Sequence, residues 1–431
     1  MKSILKKTTF LKKLKSPLFR DSAFQFILST STAGITFIQI PLLIKSLSLS
    51  GFGYLIICQT IGAIWAALTI CQFNQAVLAY APSNDNKDSI IKRTLILTIL
   101  NYIFSMLIFS ALAYQLAAII PNYVSDISKS DILVIIPLTL SAAITGSPFL
   151  GAAFRVKTIY HEYMIAQLTT AIFRLCTIYY CMQSDLGIWY IACAAFLLPD
   201  LVKIIILWLR VNTKLTSYTP LEKGTDNKII RLSLAMNLHA ITDLPTQQLD
   251  KLILLPLIGL NNIGIYQSIK RIGLLTSMVT GPFSGSLFHE YSKYINEGKQ
   301  QSAIQLFHKT LPPFLFITGS FSLLLWCTRL TWGPIMLPGA PIDDSVLAGI
   351  LILYCIASSF VGLHPLLISL KAIKKSLAIT AFSNMLFILC AMTLAPKMQT
   401  LGIIIALYIQ IISLLGIKYW IAKRHMETTC F

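Results

Sequence analysis

The sequence predicts an all-α, polytopic integral membrane protein with about twelve transmembrane helices in two six-helix bundles. Three observations carry this. Of the 431 residues, 55% are hydrophobic and only 12% charged, with a mean hydropathy of +0.72; soluble domains carry roughly 25% charged residues. Apolar runs long enough to cross a bilayer, about 20 residues each, recur along the whole chain. The lysines and arginines between those runs fall almost entirely on one side.

Taken in order, the runs place spans at 22–44, 53–76, 94–120, 132–154, 160–182 and 187–209, then at 229–249, 264–287, 310–327, 345–369, 377–395 and 401–421. Each must be helical, because a bilayer offers no water to a backbone N–H or C=O. A membrane β-barrel would show short alternating segments instead, and the sequence has none. The third run is the longest and the fifth the most polar. The basic N-terminus leads into a long apolar run without a small-residue cleavage site, which reads as a retained first helix rather than a removed signal peptide.

Topology follows from the basic residues. Of the 35 lysines and arginines, Lys45, Lys129, Lys251, Arg329 and Lys397 fall between spans on one side, and Arg174, Lys203, Lys270 and Arg271 fall within spans. The other 26 lie with the two termini, which predicts that both termini are cytoplasmic. This asymmetry also accounts for most of the formal charge of +18, so no nucleic-acid partner is expected; anionic membrane lipids are.

The longest polar linker, Arg210 to Lys228, lies near the chain midpoint and contains Thr219-Pro220, Gly224 and Asp226-Asn227, all loop formers. It divides the chain into a bundle over 1–210, a cytoplasmic linker over 211–228 and a second bundle over 229–431. A faint repeat relates the halves. At an offset of 211, Leu43, Leu49, Gly53, Ile61 and Gly62 match Leu254, Leu260, Gly264, Ile272 and Gly273. Two parallel halves are a known transporter plan.

No phosphate-binding GxxxxGK[ST] loop, GxSxG elbow or HExxH pair occurs. The outer loops are short, so no enzyme, no catalytic residue and no cofactor are expected. The nine cysteines show no metal-ligand spacing and read as small apolar residues. Function is therefore sought among polar residues within spans, where an ionised group costs about 2.5–3.5 kcal/mol and usually faces a bundle interior or water-filled cavity. The seventh span is the richest. His239, Asp243 and Gln247 are four apart on one helix face, Asp250 lies close to that face, and Pro245 breaks the helix locally. Asp243 and His239 are candidates to bind a coupling proton or sodium ion, Gln247 and Asp250 to line a cavity. The alternative for Asp243 is a pair with a basic group. Arg174, mid-span, is a candidate contact for an anionic substrate group, with a structural ion pair to Asp200 or Asp243 as its alternative. Lys270 and Arg271 are further candidates, only one of which is expected to face inward. Asp200 and Lys203 read as an intrahelical pair. Gln25, Gln39, Gln59, Asn74 and Asn101 either bind sugar hydroxyls or join helices.

Two stretches carry a resemblance. Leu249-Asp250-Lys251-Leu252-Ile253-Leu254, then Gly259, then Ile263-Gly264-Ile265-Tyr266 resembles the Asp-Lys, apolar run, Gly, apolar-Gly-x-Tyr signature of O-antigen flippases and related polysaccharide exporters. Ile40-Pro41-Leu42-Leu43, then Leu47, then Gly51-Phe52-Gly53-Tyr54 resembles that family's first hairpin, with Lys45 where an arginine is frequent. The resemblance covers perhaps 60 residues. It implies membership of the multidrug/oligosaccharidyl-lipid/polysaccharide exporter superfamily and a bacterial inner-membrane location. The implied substrate is an undecaprenyl-pyrophosphate-linked oligosaccharide, moved from the cytoplasmic to the periplasmic leaflet by ion-coupled alternating access and handed to a downstream polymerase. Arg174, Lys270 and Arg271 become candidates to meet the pyrophosphate. The rival reading, an ion-coupled exporter of small cationic compounds, predicts an acidic cavity.

Overall fold

A computed structural model describes residues 17–81, 87–119, 133–146, 149–157, 159–184, 186–215, 225–281, 283–370 and 372–427. The core of the expected linker, 216–224, lies outside the described residues. Within them every regular element is helical. The helices are α1 (Pro17–Thr69), α2 (Phe73–Tyr80), α3 (Lys87–Ile119), α4 (Ile135–Gly146), α5 (Phe149–Val156), α6 (Tyr160–Gln183), α7 (Ile188–Tyr190), α8 (Leu198–Lys214), α9 (Thr225–Leu244), α10 (Asp250–Thr280), α11 (Phe283–Asn296), α12 (Gln300–Cys327), α13 (Arg329–Met336), α14 (Asp344–Ser359), α15 (Leu363–Ser369) and α16 (Ile373–Glu427). Two π-helical turns, Ile191–Leu197 and Pro245–Leu249, join α7 to α8 and α9 to α10.

Nine stretches among the described residues are long and apolar enough to cross a membrane. Three of these are two crossings long, and each contains a break: Ser48 in α1, Gly259 in α10 and Gln399 in α16 have positive φ. Counting both arms of each broken helix agrees with twelve crossings. Phe104, Leu107, Phe316 and Leu323 are among many large apolar side chains exposed on the outer surface, the solvation a bilayer provides and water does not.

The breaks expose the internal repeat. Ser48 (φ 65°, ψ 173°) and Gly259 (φ 72°, ψ 173°) share one conformation and are 211 residues apart. Only glycine adopts that conformation freely; a serine there is strained by about 1–3 kcal/mol. Ser48 Oγ accepts a hydrogen bond from Gly51 N at 3.4 Å, which ties the strained turn to the following arm. Packing repeats with the same period. α1 lies against α4 and α6 as α10 lies against α14 and α16, and α2 lies against α5 as α11 lies against α15. Gly62 abuts Thr139 while Gly273 abuts Ile350, again 211 apart.

The two halves meet where α1 crosses α10. A Cβ on Gly53 would collide with the carbonyl oxygen of Leu260, and one on Gly264 would come within 3.0 Å of the carbonyl oxygen of Leu49. These contacts are reciprocal, since Gly53 matches Gly264 and Leu49 matches Leu260. Around them Ile40, Leu43, Phe52, Leu55, Leu254, Ile263, Tyr266 and Ile269 form a continuous buried core. The symmetry ends at the other end of the molecule. There α2 packs against α9, and Asn237 reaches the carbonyls of Ala67 and Ile70 when its amide is oriented to donate.

Valine at Gly53 is expected to destabilise the protein by about 1–3 kcal/mol through overpacking against backbone that has no room to shift, and more than valine at Gly264. Thermal unfolding in detergent checks this; equal melting temperatures for Gly53→Val and wild type would refute the reciprocal contact.

Candidate functional site

A cavity of about 630 Å³ lies between the halves. α1, α4 and α6 supply Gln39, Gln59, Thr60, Ser141, Thr145 and Arg174; the turn before α10, then α10, α14 and α16, supply Gln247, Gln248, Lys251, Gln267, Lys270, Arg271, Tyr354 and Gln410. The lining thus contains four cations and no carboxylate.

Two buried carboxylates stand behind it. Asp200 accepts hydrogen bonds from Ser141 Oγ at 2.6 Å, Arg174 Nη2 at 3.0 Å and Lys203 Nζ at 3.1 Å. Asp250 Oδ2 accepts from Lys270 Nζ at 2.5 Å and Tyr266 OH at 2.6 Å. Five cations, counting Lys203, therefore share two carboxylates. A charge taken out of water costs several kcal/mol unless it is paired and hydrogen-bonded, which explains why the acids are held so tightly. The positive excess is concentrated on the cavity side, where low-dielectric walls focus its field.

The π turns do specific work here. Such a turn offsets the helical hydrogen-bond ladder and leaves carbonyls available. Ala195 O, in the first turn, accepts from Arg174 Nε at 3.1 Å. In the second, Thr246 O accepts from Lys270 Nζ at 3.3 Å and Gln247 O from Lys251 Nζ at 2.9 Å. Pro245, expected to break the seventh span, instead opens a π turn and the helix continues into α10. Its missing N–H is what the wider turn accommodates.

Arg271 differs from the other cations. Its Nη2 donates to Gln59 Oε1 at 3.4 Å, and no carboxylate among the described residues lies within ion-pair distance of it. Burial and repulsion from Arg174 both act on this guanidinium. Arg174 also stacks over the Phe196 ring, 5.0 Å from its centroid, which fixes the plane of its fork. Arg271 marks the junction with a second groove of about 600 Å³. That groove runs between α1, α6 and α10 and is lined by Thr32, Phe37, Ile40, Tyr163, Met164 and Met278 among others. Thr36, Arg271 and Leu274 line both spaces.

The structure sorts the residues singled out in the sequence. It brings Arg174, Gln247, Lys270 and Arg271 together at one cavity and sets Asp250 directly behind Lys270. Both Lys270 and Arg271 face the cavity, contrary to the expectation that one would turn away. They diverge by about 100° around the helix, and the cavity wraps that edge of α10. Asp243 does not line the cavity; it attracts Lys418, a buried lysine on α16. The side chain of His239 lies outside the described ones. Lys251, assigned from the sequence to an outer loop, is buried and lines the cavity. The seventh span was ended at residue 249, whereas the helix runs on to the Gly259 break; the apolar run Leu252 to Ile258 was the available signal. The amides divide. Asn101 accepts from Cys71 N and donates to Thr69 O, sealing the end of α1, whereas Gln59 faces the cavity.

Two repeated helical halves with a polar cavity at their interface make up a multi-pass integral membrane protein. The sequence model of the family described as polysaccharide biosynthesis protein matches residues 18–288, more than half of the chain, and the chain belongs to that family. Solved structures with this fold include the inward-facing conformation of a multidrug resistance MATE family transporter of the MOP superfamily. It has 13% identity and a TM-score of 0.67 over 94% of this chain and 95% of that one. The outward-facing conformation of such a transporter gives 13% identity and 0.62 over 94% and 95%. A MOP superfamily transporter from Pyrococcus furiosus, described as having a binding pocket of reversed polarity, gives 12% identity and 0.65 over 94% and 95%. No curated protein matches the chain.

Removing the Asp200 carboxylate leaves Arg174 and Lys203 buried without a counter-charge. Asp200→Ala is expected to lower stability by about 3–5 kcal/mol, and Ser141→Ala, which loses one hydrogen bond to a charged group, by about 1.5–3 kcal/mol. Unfolding midpoints in detergent measure both, and a smaller effect for Asp200→Ala than for Ser141→Ala would contradict the network.

Proposed function

We propose that the protein is a flippase. It moves an undecaprenyl-pyrophosphate-linked oligosaccharide from the cytoplasmic to the periplasmic leaflet of a bacterial inner membrane. The observation that carries this is the cavity's charge: Arg174, Lys251, Lys270 and Arg271 line it and no carboxylate does. A pyrophosphate headgroup cannot cross hydrocarbon unaided, because an unpaired ion there costs tens of kcal/mol by Born solvation. A basic cavity replaces its water. Arg174 and Arg271 offer planar donor forks suited to phosphate oxygens, and Lys270 adds a compact point charge. Gln39, Gln59, Gln247, Gln267 and Gln410 are amides of the kind that hydrogen-bond sugar hydroxyls.

The second groove supplies a place for the lipid. It joins the cavity at Arg271 and is partly walled by Phe37, Ile40, Met164, Leu275 and Met278. In this reading the headgroup occupies the cavity while the tail leaves sideways into the bilayer. Transport proceeds by alternating access, the bundle over 1–210 rocking against that over 229–431 about the midplane site. The one-sided basic loops support a topology with both termini in the cytoplasm, and in this reading the substrate's release on the far side makes a polysaccharide polymerase the natural next partner. An exporter of small cations fits less well, since a cationic guest would meet the four lining cations unopposed.

Arg271→Gln is expected to reduce transport at least tenfold, and Arg271→Lys to restore part of it, because a single charge returns without the planar fork. Lipid-linked glycans extracted from cells expressing each variant, and probed by an enzyme added outside oriented vesicles, report which leaflet holds them. Completed units retained on the cytoplasmic leaflet in cells lacking the protein support the reading. Normal transfer in those cells, with no second flippase present, refutes it.

A further inference from the structure

We infer that Asp250 is a proton-exchange site whose occupancy is set by competition between its own carboxylate and an anionic guest for Lys270. The inference rests on the anionic-substrate reading above and names the residue that couples it to protons. Lys270 is the cavity-lining cation that donates a hydrogen bond to Asp250. Its Nζ lines the cavity, yet it is held 2.5 Å from Asp250 Oδ2. Asp250 has no solvent exposure, so water cannot take over from a departing lysine.

The two carboxylate oxygens are not equivalent. Oδ2 receives both Lys270 and Tyr266. Oδ1 is buried and receives no hydrogen bond. Lys251 Nζ stands 3.9 Å from it, but its protons are directed to Gln247 O and Gln248 Oε1 at 2.9 and 2.8 Å. The charged groups around Asp250 are Lys251, Lys270 and Arg271 on its own helix. Tyr266 on α10 and Tyr354 on α14 are the neutral titratable ones. On the cavity side of Lys270, α1 contributes Gln59 and α16 contributes Gln410 to the lining, both uncharged. Among the described residues, α12 and α16 place no charged side chain against Asp250.

When a phosphate draws Lys270 toward the cavity, Asp250 keeps the Tyr266 hydroxyl as its one hydrogen bond, and the nearest remaining cation, Lys251, stands 3.9 Å away with its protons directed elsewhere. A dry carboxylate that loses its hydrogen-bonded counter-ion is strongly destabilised, and a proton on the vacant Oδ1 removes that charge while leaving the Tyr266 bond on Oδ2 in place. Release of the guest returns Lys270 and expels the proton. Guest and proton therefore enter together and leave together. The pseudo-symmetric position in the first half is Gln39, with Gln59 at the position of Lys270, so the repeat carries this ion pair in one half and a pair of amides in the other. At these two positions of the repeat only the second half carries charge.

The probe is inorganic pyrophosphate, added to the full-length protein in detergent, with heats of binding measured in two buffers of different ionisation enthalpy. The difference in protons taken up between wild type and Asp250→Asn removes the ligand's own titration. The expected result is about one proton more per pyrophosphate bound for wild type than for Asp250→Asn, with wild-type uptake retained in Asp243→Asn. Equal uptake in wild type and Asp250→Asn, or uptake lost in Asp243→Asn alone, overturns the inference and leaves the anionic-substrate reading standing. No pyrophosphate binding to wild type removes both. If Asp250→Asn does not fold, infrared difference spectra of wild type decide. A protonated-carboxyl band that appears on adding pyrophosphate and shifts in Tyr266→Phe supports the site; no such band, or one that Tyr266→Phe leaves in place, overturns it.

Discussion

The close crossing of α1 and α10 is the contact on which the rest of the architecture depends. Two helices, each broken at the same point of the repeat, meet with the glycine of one against the carbonyl of the other, twice over. Membrane helices gain no hydrophobic advantage from each other's company, since lipid is as apolar as they are, so their association relies on close packing of small residues. Gly53 and Gly264 supply that packing near the ends of the arms. Farther along, the same helices diverge around Gln59 and Arg271, and the space between them is the cavity. One geometric choice therefore both closes one end of the interface and opens its middle.

That middle obeys a second constraint, the cost of charge in a low-dielectric medium. The protein meets it asymmetrically. Asp200 and Asp250 are withdrawn behind the wall, Asp200 hydrogen-bonded through both oxygens and Asp250 through Oδ2 alone, while cations are left at the surface of the cavity. Both π turns lie beside this surface, and their spare carbonyls orient three of its cations without neutralising them. A carbonyl holds an ammonium or guanidinium in place yet leaves its charge for a guest. Arg271, bonded only to an amide, is the extreme case, and it sits where the cavity meets the groove between α1, α6 and α10. On the flippase reading proposed above, headgroup recognition and lipid egress converge on that one side chain.

The pseudo-symmetry of the halves extends to backbone breaks and packing but stops at chemistry. Ser48 adopts a conformation that Gly259 adopts without strain, so the first half tolerates a cost that the second avoids. Gln39 and Gln59 occupy the positions of Asp250 and Lys270. A repeat that keeps its shape while replacing an ion pair with two amides loads the cavity unevenly with charge: the second half contributes Lys251, Lys270 and Arg271, the first half Arg174 alone.

Much of this is written in local sequence. Hydropathy alone specifies the membrane helices, because burying a helical backbone in lipid requires only an apolar run of sufficient length. The five identities at an offset of 211 mark the repeat, and Arg174, Lys270 and Arg271 stand out because buried charge is expensive wherever it occurs. What the sequence could not show is which charges face one another. Asp243 looks like the natural intramembrane acid, four residues from His239 and Gln247, but helix periodicity says nothing about the neighbour on the next helix, and that neighbour is Lys418. Lys251 looks like a loop residue until the seventh span is seen to continue past residue 249 into α10. Whether Lys270 and Arg271 both reach the cavity depends on how far the cavity curves around α10. Pairing, helix continuity and cavity shape are properties of residues far apart in the chain, and only the tertiary structure brings them together.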